Sequence, residues 1–69
     1  MKPQKTRDVL RHLRAIGWVR LRDGRGSHEI WGRPDGSVKF AVPVGHREVS
    51  AGVLSQLTAT GIEVPREWR

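Results

Sequence analysis

The chain has 69 residues, with thirteen Lys and Arg against seven Asp and Glu, and its formal net charge is +6 at pH 7. A chain this short makes one domain with a thin core, because it buries only about 60% of the surface that its unfolded form exposes. The absence of cysteine excludes disulfides and thiolate metal sites and suits a cytoplasmic protein, and neither a signal peptide nor a membrane-spanning stretch is present. The positive potential favours nucleic acid as the partner, then an acidic protein, and an anionic membrane least.

The first predicted element is a helix whose apolar residues recur at helical spacing: Val9, Leu10, Leu13 and Ile16. Thr6 is its predicted N-cap and Gly17 its C-terminal stop. His12, at the edge of the apolar stripe, is predicted to be structural. The other side of the helix carries a row of arginines that serves either as a solvated face or as a surface that tracks phosphates, namely Arg7, Arg11 and Arg14.

Three strands are predicted next, from Trp18 to Arg22, from about residue 27 to 33, and from 38 to 42. A four-residue turn at 23–26 would place Leu21 opposite His28. Residues 34–36, Pro-Asp-Gly, form a hairpin signal, and a three-residue loop there would place Ile30 opposite Phe40. A two-residue turn at 35–36 would instead place Trp31 opposite Phe40 and reverse the faces of the second strand.

The longer turns divide the predicted sheet into two faces. The helix-covered face would hold its apolar residues, with His28 at the margin: Val19, Leu21, Ile30, Val38, Phe40 and Val42. The open face would hold the two tryptophans and most of the charges: Trp18, Arg20, Arg22, Glu29, Trp31, Arg33 and Lys39. Trp18 is expected mainly to pack, whereas for Trp31 both core packing and stacking on an unpaired base remain open.

The last predicted helix begins after Ser50 as N-cap and ends at Gly61, with a buried stripe made by Val53, Leu54 and Leu57. No charged residue occurs between positions 51 and 60, which favours a contact surface on this helix. Residues 65–68 are predicted to form a short terminal turn that folds Trp68 back onto the protein.

The candidate for chemistry is Gly26-Ser27-His28, a turn approached by several arginines. Histidine has an ordinary pKa of about 6.5, so it can take or give a proton near neutral pH. General acid–base catalysis by such a group raises a reaction rate about 10²–10⁴-fold. RNA can be cut without a metal because its 2′-hydroxyl attacks the adjacent phosphate. The alternative for His28 is a polar residue at a strand start that bonds to backbone. The three histidines, at spacings of sixteen and eighteen residues and without cysteine, predict no metal site.

The order of these motifs resembles the HicA family of toxins. The resemblance rests on Gly17-Trp18, Gly26-Ser27-His28, the Pro34–Gly36 hairpin, Val42-Pro43 with His46, Gly52-Val53-Leu54 and Gly61-Ile62. It implies a small α+β fold over residues 1–69, ordered α-β-β-β-α like the double-stranded RNA-binding domain, with a three-stranded antiparallel sheet and helices on one face. It further implies an mRNA endoribonuclease that blocks translation and is silenced by a HicB-type antitoxin. Because RNA can be cut without a metal, we expect this nuclease to be metal-independent and to need no cofactor. In that family the histidine of Gly-Ser-His is catalytic, which carries over to His28.

The residues predicted to bind RNA surround this histidine. Arg25, together with Arg22, can stabilise the charge of the phosphorane, and the Gly26 amide and the Ser27 hydroxyl can hold a phosphate oxygen. Two residues farther along the chain complete the predicted set, Lys39 and His46. For His46 a role as second proton-transfer group and a plain loop position both remain open.

Two other functions compete with the nuclease. A non-catalytic basic RNA-binding module of the same fold would bind RNA with steep salt dependence and without any need for His28. An interaction protein would instead dock an acidic partner through its arginines and its uncharged last helix.

Overall fold

Two helices and five short strands form an α+β fold. The structure is a computed structural model that describes all residues, 1–69. In chain order the elements are β1 (Gln4–Lys5), α1 (Thr6–Ala15), β2 (Val19–Asp23), β3 (Glu29–Gly32), β4 (Lys39–Val42), β5 (Glu48–Val49), α2 (Ala51–Thr58) and a single 3-10 turn (Arg66–Trp68). The order of α1, three antiparallel strands and α2 confirms the predicted fold class. The pairing of β1 with β5 was not predicted.

Helix α1 buries Val9 and Leu13 of its predicted apolar stripe, whereas Leu10 is partly buried and Ile16 is exposed, and the helix ends where its glycine predicted. Beyond Ala15 the Trp18 amide donates to the Leu13 carbonyl (2.9 Å) and the Gly17 amide to the Arg14 carbonyl (3.1 Å), which is a Schellman motif with Gly17 at φ +93°. The predicted cap at the other end is wrong by one residue. Lys5 occupies the N-cap position without a side-chain cap hydrogen bond, and Thr6 is the first helical residue, with its hydroxyl donating to the His46 carbonyl.

The β3–β4 hairpin adopts the register of the shorter turn. Trp31 lies opposite Phe40, and the Arg33 amide donates to the Val38 carbonyl (2.9 Å), so the pairing of Ile30 with Phe40 is wrong. The physical reason is the Trp31 indole, which this register turns into the core, where only 4% of the residue stays exposed. Base stacking by Trp31 is thereby excluded in this fold.

The β2–β3 hairpin also differs from its prediction. Arg22 lies opposite Ile30 and Arg20 opposite Trp31, so Leu21 between them is a β-bulge. The Gly24 amide donates to the His28 carbonyl (2.9 Å), which leaves three loop residues at 25–27 instead of a four-residue turn. The predicted pairing of Leu21 with His28 is therefore wrong.

These registers reassign the two faces of the sheet, which has the order β2-β3-β4. Since paired residues of antiparallel strands share a face, the helix-covered face holds Arg20, Glu29, Trp31, Phe40 and Val42. The open face holds Arg22, His28, Ile30, Lys39 and Ala41. Phe40, Val42, Arg22 and Lys39 lie where they were predicted, whereas Ile30, Trp31, Glu29, Arg20 and His28 do not.

One core joins both helices to the sheet. Its buried members are Val9, Leu13, Trp18, Trp31, Val42, Val49, Leu54, Leu57, Val64 and Trp68. Helix α2 begins as predicted, because the Ser50 hydroxyl accepts the Val53 amide (3.2 Å), but it ends at Thr58, before Gly61. Trp68 folds back as predicted and is packed edge-on against His12. None of the helices is long and apolar enough to cross a membrane.

Candidate active site

His28 lies at one end of the sheet, just after a tight loop. The loop is closed by two backbone hydrogen bonds, from the Gly24 amide to the His28 carbonyl (2.9 Å) and from the His28 amide to the Arg25 carbonyl (3.0 Å). Gly26 has φ +56°, a left-handed conformation that glycine adopts without steric cost. The sequence therefore folds here into a compact turn that presents residues 25–27 to solvent and places His28 directly behind them.

The His28 imidazole is partly exposed and held by one ring nitrogen. Its Nδ1 lies 3.2 Å from the Arg25 carbonyl oxygen, which can only accept a hydrogen bond, so Nδ1 carries the hydrogen. Nε2 has no hydrogen-bond partner in the protein. The neutral ring thus offers a lone pair at Nε2, and the protonated ring offers an N–H at the same atom. The ring is oriented and is available to a ligand.

Two exposed cations lie on the same hairpin as His28. Arg22 lies on the same sheet face, opposite Ile30, and Arg25 lies in the loop itself. Both side chains are exposed and neither makes an ion pair. Arg20 differs, because its guanidinium contacts Asp23 and lies 3.2 Å from a Glu29 oxygen on the other face. Arg22 and Arg25 therefore carry the free positive charge of the β2–β3 hairpin.

Glu29 is held as a carboxylate away from the imidazole. The Trp31 Nε1–H donates to Glu29 Oε1 (2.9 Å), and this bond, followed by those from Arg20, lowers the Glu29 pKa. The Arg20 pKa is raised in turn, first by its hydrogen bond to Glu29 and then by the charge of Asp23. This cluster pairs one guanidinium with two carboxylates and completes the hydrogen bonding of the buried indole, which gives it a structural role.

A second loop packs directly on the Gly-Ser-His turn. The Gly45 amide donates to the Ser27 carbonyl (2.9 Å), and a Cβ built on Gly45 would lie only 2.2 Å from the Ser27 Cβ. This contact brings the exposed His46 to the same end of the protein as His28. Sequence reasoning missed Gly45, because a loop glycine between a valine and a histidine carries no signal of what it touches.

The structure brings together most of the predicted site but not all of it. Arg22, Arg25, Gly26, Ser27 and His46 lie at the end of the sheet that carries His28. Lys39 is at the opposite end, opposite Gly32, about 10 Å along the strand from Val42, the residue paired with Glu29. A contact between Lys39 and a phosphate at His28 would require an RNA that runs the length of the sheet. No group of three His, Cys, Asp or Glu side chains is placed to hold a metal ion.

Comparison with known proteins identifies a family for this chain. The family model described as "HicA toxin of bacterial toxin-antitoxin" matches residues 6–62 of the 69-residue chain, a span that includes both helices, the three-stranded sheet and the His28 turn. No curated protein and no solved structure matches the chain. The matched span is most of the protein, and the chain therefore belongs to the HicA family, the toxins of bacterial toxin–antitoxin systems.

Proposed function

We propose that this toxin is an endoribonuclease that cleaves mRNA without a metal ion and uses His28 as its general acid and base. The observation that carries the proposal is the state of the His28 ring. Nδ1 is engaged by the Arg25 carbonyl, Nε2 has no hydrogen-bond partner in the protein, and two exposed arginines without an ion pair, Arg22 and Arg25, lie on the same hairpin. A solvent-accessible proton acceptor within a cationic turn suits a phosphodiester whose own 2′-hydroxyl is the nucleophile.

The chemistry needs only the chain's own groups and the RNA. Nε2 of His28 takes the proton of the 2′-hydroxyl, and the 2′-oxygen forms a bond to phosphorus. The bond from phosphorus to the 5′-oxygen breaks, and the imidazolium returns its proton to that oxygen. The products are a 2′,3′-cyclic phosphate and a free 5′-hydroxyl, so atoms and charge balance.

Arg25 and Arg22 are proposed to stabilise the extra negative charge that develops on the phosphate in the transition state. The Gly26 amide and the Ser27 hydroxyl make no hydrogen bond within the protein, so both can donate to a phosphate oxygen. His46 is proposed to contact the RNA from the neighbouring loop. General acid–base catalysis by one imidazole raises the cleavage rate about 10²–10⁴-fold. This modest rate is sufficient for a toxin whose damage accumulates.

Family membership implies an antitoxin partner, and we propose that this partner is of the HicB type. The face of α2 that points to solvent has no charge: Gly52, Ser55 and Gln56 are exposed and the helix contains no Asp, Glu, Lys or Arg. An uncharged face suits contact with a protein, whereas the arginines beside His28 suit RNA. A protein that covers Arg22 and Arg25 would block the proposed site directly.

The test compares wild type with His28→Ala and a matched histidine control, His12→Ala, on mRNA in excess chelator. His12 bonds through Nε2 to the Glu63 carbonyl (2.7 Å) and packs on Trp68, far from the turn, so its variant is expected to melt earlier but to cleave RNA at temperatures where it is folded. His28→Ala is expected to lose about 10²–10⁴-fold in cleavage rate with an unchanged circular dichroism spectrum.

Equal cleavage by wild type and His28→Ala contradicts the proposed mechanism. RNA binding by both proteins, with no cleavage by either and no growth arrest on expression, identifies the non-catalytic RNA-binding module instead. Cleavage that disappears when chelator is added contradicts the metal-independent route.

A further inference from the structure

A groove of about 640 Å³ lies beside the His28 turn and has no part in the chemistry described above. Its rim carries three basic side chains, from Lys5, Arg7 and Arg47. Leu10 and Val44 line its floor, and both are partly buried against the core. An apolar floor with a cationic rim matches one nucleotide unit, because the ribose or base covers the floor while the phosphate meets the rim.

The groove is tied to the catalytic turn by consecutive backbone contacts. The Ser27 carbonyl accepts from Gly45, and two residues later the Arg47 carbonyl accepts from the Thr6 amide (2.8 Å) at the start of α1. The Thr6 hydroxyl also binds the His46 carbonyl, and Thr6 is 6% exposed. The segment from Gly45 to Arg47 therefore forms a fixed bridge between His28 and the groove.

The topology places both sites at one end of the protein. Helix α1 runs into β2 at Val19, which lies opposite Gly32, so the C-terminal end of α1 is at the far end of the sheet from His28. The N-terminal end of α1, where Lys5 and Arg7 lie, is accordingly at the end that carries His28. A single strand that crosses the loop at His46 can reach both places.

The charge of the groove is only partly compensated. Lys5 and Arg47 make no ion pair, and Arg7 has one long contact, 3.9 Å to Asp8, at a side chain that is 73% exposed. Glu48 is the one carboxylate on the lining, and it lies opposite Lys5 across the β1–β5 pair. An exposed, long ion pair contributes little, so the basic side chains are free to bind an anion.

We propose that this groove binds the single-stranded RNA backbone beyond the cleaved bond, with Arg47 and Lys5 as its phosphate contacts. The proposal rests on the nuclease function proposed above and extends it, because it assigns a second subsite and predicts that the substrate is an unpaired strand several nucleotides long. A double helix is too rigid to leave the open sheet face and turn over the end of the molecule into the groove.

The test uses a 2′-O-methyl RNA of about 12 nucleotides, which covers a single-strand site and resists attack by the 2′-oxygen, and measures its affinity by fluorescence anisotropy at several salt concentrations. The variants are Arg47→Ala and Lys5→Ala, and the matched control is Arg33→Ala, an exposed, unpaired arginine at the opposite end of the sheet. Arg47→Ala and Lys5→Ala are each expected to weaken binding about fivefold and to reduce the salt slope by about 0.7, while Arg33→Ala changes neither.

The outcomes separate this proposal from the nuclease assignment. If Arg47→Ala and Arg33→Ala lose equal affinity while wild type still cleaves mRNA, the groove is not an RNA subsite and the nuclease stands. If wild type does not cleave mRNA at all, the nuclease assignment is wrong and the groove proposal falls with it. Tighter binding of polyglutamate than of RNA, lost in Arg47→Ala, overturns the proposal in favour of an acidic protein segment.

Discussion

The contact between Gly45 and Ser27 predicts a sharp effect of one methyl group. In Gly45→Ala the new Cβ would lie 2.2 Å from the Ser27 Cβ and 2.5 Å from its hydroxyl oxygen. Carbon atoms in contact are about 3.5–4.0 Å apart, so one of the two loops must move by about 1.3 Å. Gly45 does not have a positive φ, so alanine meets no backbone penalty there and the whole cost is steric.

This displacement acts on the residue next to His28. Rotation about the Ser27 side chain can remove its hydroxyl from the clash but not its Cβ, so the backbone at Ser27 must shift. We expect Gly45→Ala to lose about 1–3 kcal/mol of unfolding free energy, which lowers Tm by about 4–8 °C per kcal/mol in a domain of this size. Under the proposed mechanism, a misplacement of about 1 Å at His28 costs about 10²-fold, so the kcat/KM for RNA should fall by that order.

Thermal unfolding and cleavage assays check the reasoning on five proteins: wild type, Gly45→Ala, Ser27→Gly, the double variant of these two, and Gly52→Ala. Gly52→Ala in α2 is the matched control, because its new Cβ would meet nothing within 4 Å. Its free energy of unfolding should rise by about 0.5–1 kcal/mol, without loss of activity. Ser27→Gly introduced into Gly45→Ala removes the obstructing atoms and should restore stability, a coupling of about 1–2 kcal/mol. If Gly45→Ala is as stable as wild type, or if Ser27→Gly restores nothing, the steric explanation is refuted.

Three further predictions concern the scaffold. Gly32→Ala would place a Cβ 2.1 Å from the Val38 carbonyl oxygen, a backbone atom that cannot rotate away. Chemical denaturation should show a free energy of unfolding lower by about 3 kcal/mol, or a variant that does not fold. Ser50→Ala removes the α2 cap and should cost about 1 kcal/mol in the same assay. Glu29 and Asp35 both have lowered pKa values in the native state, so the unfolded chain binds more protons than the native protein as the pH falls. Their contribution to the free energy of unfolding should be complete above the ordinary pKa values of 4.5 and 3.8, and should be lost as the pH drops through the lowered native values. A free energy of unfolding that stays the same from about pH 6 to pH 2 would contradict this prediction.

Signals that act within a few residues predicted local structure well. Gly17 ends α1 because the left-handed conformation it adopts closes a Schellman motif with the residues just before it. Ser50 caps α2 because its hydroxyl reaches an amide three residues away. A turn between β2 and β3 was also predicted from its glycines, although its loop spans residues 25–27 and not 23–26. In each case the deciding interaction is contained in the short segment that carries the signal.

The strand registers depended on interactions that no short segment contains. Turns of two and three residues at 34–36 differ by one residue, and that difference moves every β3 side chain to the other face. Burial of the Trp31 indole, with Glu29 as its acceptor, favours the shorter turn, and both facts require the tertiary structure. The β-bulge at Leu21 in the neighbouring strand likewise has no sequence signal that would predict it.

The burial of Trp18, Trp31 and Trp68 at 3–5% exposure has a practical consequence for solution work. With no tyrosine in the chain, these indoles dominate its intrinsic fluorescence, and each lies in a water-poor environment. Emission should therefore start blue-shifted and move to the red only as the protein denatures. Addition of an oligonucleotide should leave the emission spectrum nearly unchanged, so ligand titrations need an external dye. The intrinsic tryptophan emission can then be used to follow unfolding alone.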